Sequence, residues 1–414
     1  MKQKKVMILG AGAGQLPFIN ICKSKGYYVI AVSIPGDYPG FKIADKFYFI
    51  DTRNKEKILK VALEEKIDAI LTDQTDVSVP TVAYVAEKMG LRGIGYNTAL
   101  VFTNKFLMRK AARDAGIDVP EFDKAKNTDE AINVAKRIGF PVVIKPADSS
   151  GSRGVFKITC EKELIEKFNT VLQYSTTDYI VVEKFITGKE YLVDGFAMDK
   201  KYINLDLGVK EFFDKTNVFV SSMCMFSSAK RIDDPVGLKI LDSNSRFIES
   251  VNLQFGITHA EFIYNEDEDK VYLVEIAARG GGVYLSSDIT PTATGFDSNR
   301  LLIDYVVENK QIDLSTVELD KKIAAWKCFS FPEGEIIEIS GVEETKNIQG
   351  VFMLDMSGVY VGKKTVELCD DSEKYGPALI VANNDEDCYK TIEKIKKTLK
   401  IKIRAANGIS GIIW

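Results

Sequence analysis

Three observations predict a mixed α/β and α+β architecture. Over residues 1–100, short β-rich runs alternate with helical patterns; apolar runs later in the chain end in or enclose single charged residues; and a polar turn joins two strand-like runs between 259 and 276. Strand–helix alternation at short spacing argues a parallel, doubly wound sheet, and strands joined by a tight polar turn argue antiparallel pairing.

Taken in order, the pattern predicts a strand over Val6–Leu9, a helix over Gln15–Lys25, a strand over Tyr28–Val32, a helix over Asn54–Glu65 and a strand over Ala69–Leu71. Gly10, Gly12 and Gly14 follow the first strand, but the third glycine of a dinucleotide fingerprint is missing at its spacing. A tight strand-to-helix turn facing the active site is therefore preferred to a nucleotide grip. Thr98–Ala115 reads as one long helix with Thr103 or Asn104 as a cap, and places Lys105, Arg109, Lys110 and Arg113 at helical spacing. A helix over Asp129–Ile138, closed by Gly139 and Pro141, leads to the strand that carries Lys145. Strands follow at Tyr179–Val182, Tyr191–Ala197, His259–Tyr264 and Lys270–Ile276. Past residue 310 the chain restarts, with β patterns at Ile323–Ser330 and Gly350–Val361 and a last helix over Glu386–Leu399.

At 414 residues the chain has room for two or three domains with sizeable cores. A net charge of −4 gives no support for nucleic-acid binding, and no apolar run approaches the ~20 residues of a membrane span. After Lys5 the apolar run Val6–Leu9 is too short for a secretory h-region. The six cysteines are scattered without a C-x-x-C pair, so reduced thiols in a cytoplasm are the expectation. His259 is the only histidine, which rules out a His-based metal cluster and leaves one residue for any Ser–His or Cys–His machinery.

The chemistry-bearing residues form one constellation. Lys145 ends the apolar run Val142–Ile144, and a buried ammonium needs an anion. The small-residue loop Ser149, Ser150, Gly151, Ser152 and Gly154 follows, a backbone able to approach phosphates and aim N–H groups at them. Glu183 and Glu190 flank the turn at Thr187 and Gly188, which can place both carboxylates on one rim for ribose hydroxyls while the backbone of Lys184, Phe185 and Ile186 meets a base. Glu261 and Glu275 are acids embedded in apolar strands; meeting across a hairpin they would repel unless a cation lay between them, and an all-oxygen ligand set favours Mg²⁺. Arg279 lies four residues beyond, a fixed cation suited to developing phosphate charge. The bland alternatives are a snorkelling lysine, an ordinary turn, solvated acids and acids paired to lysines.

In these residues the chain resembles an ATP-grasp ligase, along essentially its whole length. The resemblance implies a Rossmann-like pre-ATP-grasp domain at 1–100, an ATP-grasp domain of two α+β subdomains at 101–310 and a small C-terminal α+β domain at 311–414. It implies ATP with Mg²⁺, or Mn²⁺ in its place. Lys105 and Lys145 would be the nucleotide lysines, Ser149–Gly154 the lid over the phosphates, Glu183–Ile186 the adenine hinge, and Glu190 the ribose contact. Glu261 and Glu275 would bind metal, and Arg279 would stabilise an acyl phosphate. His259, in Thr-His-Ala-Glu, is similar to a motif of amino-acid-ligase-like members and is placed with Gly281, Gly282 and Tyr284 on the substrate side. One departure stands out: the family's asparagine two positions after the second metal acid is here Ala277.

The implied reaction joins a small-molecule carboxylate to an amine through an acyl phosphate, with neither nucleic acid nor membrane as partner, and a homodimer is compatible with the resemblance. A non-amine acceptor, kinase-like phosphotransfer and a silent nucleotide-binding regulator are the alternatives.

Overall fold

The computed structural model describes residues 3–149, 151, 153–214, 220–282, 284–369 and 373–414. The chain divides into two compact units. The first comprises 1–204, 234–287 and 297–317; the second comprises 205–233, 288–296 and 318–414.

In the first unit, Lys46–Phe49, Tyr28–Ser33, Lys5–Leu9 and Ala69–Thr72 form a four-stranded sheet in that order, with every pairing parallel. Its central strands bury both faces, as parallel strands covered by helices must, which is why Val6–Leu9 and Val29–Val32 read as continuous apolar runs. The helices Leu16–Ser24 and Lys55–Glu65 lie in the connections between them, and Val79–Met89 follows the last strand. Asn54 caps the second by accepting the Lys57 N–H at 3.1 Å, and Gly90, at φ +63°, ends the third.

A second, antiparallel sheet in this unit has the order Phe122–Ala125, Ile180–Lys184, Val142–Pro146, Phe156–Ile158. The helices Thr128–Ile138 and Glu161–Gln173 pack on it over a core that includes Val142, Ile144, Phe168 and Val182. The first of these carries acids in its opening turn and bases in its last, matching the helix dipole. The strand Phe255–Asn265 lies antiparallel between Lys189–Met198 and Lys270–Ala277.

The second unit is built on antiparallel pairings that run from the Leu205–Phe212 part of one strand through Ser221–Ser228, Ile323–Phe329 and Tyr375–Ala382 to Val351–Leu354. A smaller sheet orders Lys364–Thr365, Gly334–Ser340, Lys400–Ala405 and Gly408–Ser410. Among the described residues no helix is long and apolar enough to cross a membrane.

Two expectations change. The single helix over Thr98–Ala115 is two, Tyr96–Thr103 and Lys105–Asp114, because Asn104 is extended (φ −122°, ψ 113°) and its side chain accepts the N–H groups of Phe106 and Leu107, both at 3.1 Å. A cap that satisfies the orphan donors of a new helix stops the old one. The β pattern over Gly350–Val361 is a strand only at Val351–Leu354, because Gly358 (φ +72°) and Gly362 (φ +91°) turn the backbone beyond it.

The glycine turn after the first strand has an occupant of its own. The Gln15 side chain accepts the Gly12 N–H at 3.0 Å and donates to the Asp73 carbonyl at 2.6 Å. Gly10 sits at φ +98°, and a Cβ there would meet Gln15 at 2.7 Å. The turn is filled by protein.

Candidate active site

The break at Asn104 makes Lys105 the first residue of its helix, and the Lys105 N–H donates to the Ala147 carbonyl at 2.7 Å, tying the helix start to the end of the Lys145 strand. The Lys105 ammonium donates to the Ser149 carbonyl at 2.5 Å and to Glu275 at 3.0 Å. One turn further, Arg109 is fully buried and donates through Nε to Glu183 at 3.1 Å. Lys145 is also buried and forms an ion pair with the same carboxylate.

Two cations thus share one buried acid. Burial brings the Lys145 ammonium down to about 8 against the pull of Glu183. Burial opposes ionisation of Glu183, but Arg109 and Lys145 outweigh it and hold its carboxyl below the usual glutamate range. The triad carries one positive charge in excess, and Arg109 Nη1 is buried without a hydrogen-bond partner. An unmatched buried cation is costly, so the cluster suits an anion of high charge density.

Glu261 and Glu275 lie opposite each other in register across the hairpin, with the pairing shifting immediately after Glu261. Directly opposed residues share one face with Cβ atoms about 5 Å apart. The next row contains Asp194, His259 and Ala277, in register on three adjacent strands. His259 Nδ1 lies 3.0 Å from Asp194 Oδ1, and both residues are buried. The Glu261–Glu275 pair fits a hard divalent cation, since its donors are all carboxylate oxygens and one already faces Lys105. Among the described residues no three His, Cys, Asp or Glu side chains form a metal-binding group, so the remaining ligands would be phosphate and water oxygens. The Ala277 methyl supplies no ligand.

Arg279 does not stand alone beside these acids. Asp76 grips it with two hydrogen bonds, Nε to Oδ1 at 3.0 Å and Nη2 to Oδ2 at 2.8 Å, and its Nη1 donates to the Gly280 carbonyl at 3.0 Å. Burial works against both charges, but each outweighs that cost for the other: the Asp76 carboxyl falls below its usual range and the guanidinium is held charged. Asp73 accepts the Gly280 N–H at 2.9 Å and the Ser286 hydroxyl at 3.2 Å; burial pushes its carboxyl up to about 6. Gly280 permits this approach, since a Cβ there would lie 2.5 Å from Asp73 Oδ1.

The remaining expected residues fall as follows. The N–H groups of Lys184 and Phe185 donate to the Glu121 and Pro141 carbonyls at 2.8 and 3.2 Å, so two of the three expected hinge amides are engaged by protein. Glu183 contributes its carboxylate to the lysine–arginine triad, apart from the ribose rim expected for it, and Glu190 stands half-buried near the start of the strand Lys189–Met198. Gly151 and Gly154 adopt φ +66° and +74°, whereas Ser150 and Ser152 lie outside the described residues. Gly281 is buried so close to His259 that a Cβ would lie 2.9 Å from Nδ1. Gly282 is half-buried, and Tyr284 adopts a left-handed φ of 62°, a strained conformation of a kind that clusters at functional sites.

Asp73, Asp76 and Asp194 were not singled out in the sequence. The available signal was position: Asp73 and Asp76 follow the carboxyl end of the parallel strand Ala69–Thr72, the edge where α/β sheets place ligand sites.

Residues 104–307 match the family model of the carbamoyl-phosphate synthase L chain, ATP binding domain. The carbamoyl phosphate synthase large chain of Pseudothermotoga lettingae is 26% identical over 333 residues, covering 73% of this chain but only 29% of that protein. The chain therefore spans about a third of the length of such full-length relatives. Among solved structures, L-amino acid ligase from Bacillus licheniformis superposes with a TM-score of 0.79 at 21% identity, covering 98% of this chain and 100% of that one. The biotin carboxylase domain of Hydrogenobacter thermophilus 2-oxoglutarate carboxylase, solved with MgADP and bicarbonate, gives 0.73 at 18%, covering 100% and 92%. The sequence match over residues 104–307, and a fold shared along nearly the whole chain, support an ATP-grasp ligase.

Proposed function

We propose that the protein is an ATP-dependent carboxylate–amine ligase acting on small cytoplasmic metabolites through an acyl phosphate. The observation that carries the reading is the meeting of a cation-rich cluster, Lys105 with the Arg109–Glu183–Lys145 triad, and an opposed carboxylate pair. The first suits a polyphosphate and the second suits the divalent ions that accompany it.

On this reading residues 1–100 form the pre-ATP-grasp domain, 101–310 the ATP-grasp domain and 311–414 a C-terminal α+β domain. A substrate carboxylate oxygen attacks the γ-phosphorus of ATP, the bond to the β-phosphate oxygen breaks, and ADP leaves with an acyl phosphate formed. An amine nitrogen then attacks the acyl carbon, phosphate departs, and the nitrogen gives up a proton as the amide forms. Lys105 and Lys145 hold the phosphates, and the Ser149–Gly154 loop covers them and excludes water from the intermediate. Ile186 offers its N–H to the base and Glu190 its carboxylate to the ribose. Arg279, fixed by Asp76, meets charge on the transferring phosphoryl group and on the acyl phosphate. His259, Gly281, Gly282 and Tyr284 border the substrate. Magnesium held by Glu261 and Glu275 would neutralise phosphate charge and align the phosphoryl group.

The test is ADP and phosphate release from ATP, Mg²⁺ and pooled carboxylates and amines, comparing wild type with Glu275→Gln. The variant is expected to lose at least ~10³-fold in turnover, about 4 kcal/mol of barrier, at unchanged melting temperature. Near-wild-type ADP release would sink the metal assignment, and AMP with pyrophosphate from the wild type would sink the acyl-phosphate route.

A further inference from the structure

We propose that the cavity beside the Ser149 carbonyl receives a second anionic group of the substrate, a carboxylate or phosphate other than the one activated, and that Lys55 and Arg53 bind it. This rests on the ligase reading for calling the occupant a substrate; its charge follows from the cavity itself.

The cavity encloses about 600 Å³, the size of a small-molecule site. Ser149, the acceptor of the Lys105 ammonium, and Asp76, the anchor of Arg279, line it where it approaches the residues assigned to phosphoryl transfer. Elsewhere on the lining stand Arg53, Lys55 and Tyr96.

Lys55 lies 4.5 Å from the ring centroid of Tyr96 and 4.7 Å from that of Tyr84, and donates to the Tyr96 hydroxyl at 2.9 Å. It forms no ion pair among the described residues, so a half-exposed ammonium held against two rings has donors left for an anion. Arg53 is held by Asp51 through Nε at 3.1 Å and Nη2 at 2.8 Å, an arrangement that fixes the guanidinium and leaves Nη1 available. Both flank Asn54, at the start of the helix Lys55–Glu65, whose dipole adds to the positive potential.

The acids on the lining are committed. Asp76 is neutralised by Arg279, and Asp148 accepts the Ser175 hydroxyl at 2.7 Å and the Thr176 N–H at 3.1 Å. Arg53 is balanced by Asp51 and Asp76 by Arg279, each from outside the cavity, which leaves Lys55 as the lining cation that forms no ion pair among the described residues. Val77, Pro80 and Leu100 provide apolar surface for a carbon skeleton. A neutral substrate would leave the Lys55 ammonium to water, whereas a diacid or phosphorylated acid would give it a counter-charge within the cavity.

Calorimetric titration of the full chain, with saturating ADP and Mg²⁺, uses succinate, L-glutamate and O-phospho-L-serine against the neutral isostere L-glutamine. At least one anionic probe is expected to bind ~10-fold or more tightly than L-glutamine, and the tightest of the three distinguishes carboxylate from phosphate. Lys55→Met is expected to erase that preference and Arg53→Gln to reduce it severalfold, with melting temperatures unchanged. Equal binding of L-glutamate and L-glutamine, no binding of any anionic probe, or a preference that survives Lys55→Met overturns the proposal. ADP release with neutral acids alone overturns the subsite and leaves the ligase reading intact. Anion preference without ADP release under any substrate supports the subsite and overturns the ligase reading.

Discussion

Lys145 in the first unit and Lys327 in the second are both buried, and burial brings each ammonium down to about 8. Their surroundings separate them. Lys145 is paired with Glu183, beside Arg109 and near Lys105, in a cluster with excess positive charge and an unsatisfied guanidinium nitrogen. Lys327 belongs to the wholly buried strand Ile323–Phe329, lies 5.8 Å from the Phe213 ring, and forms no ion pair among the described residues. Lys396 depresses its charge further, whereas Glu211 and Glu393 favour it only from a distance. A lowered lysine pKa reports burial; a ligand site is recognised by what the buried charge still lacks.

The sharpest break in that comparison is Lys145→Ala. It is expected to lower kcat/KM for ATP by ~10²–10³-fold with little change in melting temperature, because Glu183 retains Arg109. Steady-state ADP release checks this, and an equal loss in Lys327→Met would dissolve the distinction between the two lysines.

Arg279 extends the contrast to a buried cation gripped directly by the Asp76 carboxylate. Asp76→Asn leaves that guanidinium without its counter-charge and is expected to cost about 3 kcal/mol in urea unfolding, together with a loss of turnover. Unchanged stability would mean that the Gly280 carbonyl and water suffice to hold Arg279.

The smallest effect belongs to Lys327→Met, which removes a buried charge and keeps an unbranched chain. It is expected to leave ADP release within about twofold and to raise stability by about 1–3 kcal/mol at pH 7. The sign follows from the depressed folded pKa: below about 8 the folded state carries a buried ammonium that the unfolded chain solvates freely. Wild-type stability therefore rises as pH climbs from about 8 toward the unfolded value of 10.5, and the advantage of the variant fades over the same window. Unfolding measured at pH 7 and pH 10 tests this directly; a constant difference would assign the effect to packing.

Sequence pattern located much of the architecture. The Lys145 strand, both carboxylate strands, three of the four parallel strands of the first sheet and a cap at Asn104 were legible because apolar period, turn residues and capping side chains act over a few positions, whereas the short, largely exposed strand Lys46–Phe49 was not. The break at Asn104 was harder, since the residues on both sides favour helix and only the cap's own backbone decides where one ends. The glycines at 10, 12 and 14 read as a tight turn, but their spacing shows only that backbone can approach something closely; that the occupant is Gln15 is a tertiary fact.

By itself, the sequence determined that an anion-seeking lysine, a glycine-containing loop and two strand-borne acids occur in an order suited to ATP chemistry, because each depends on its immediate neighbours. Tertiary structure alone decided their partners. Arg279 meets Asp76 across 203 positions of chain and Lys105 meets Glu275 across 170. Glu183 serves Lys145 and Arg109 because three elements close around one buried carboxylate. Such pairings are fixed by the cost of leaving a charge unmatched in the interior, which no local pattern encodes.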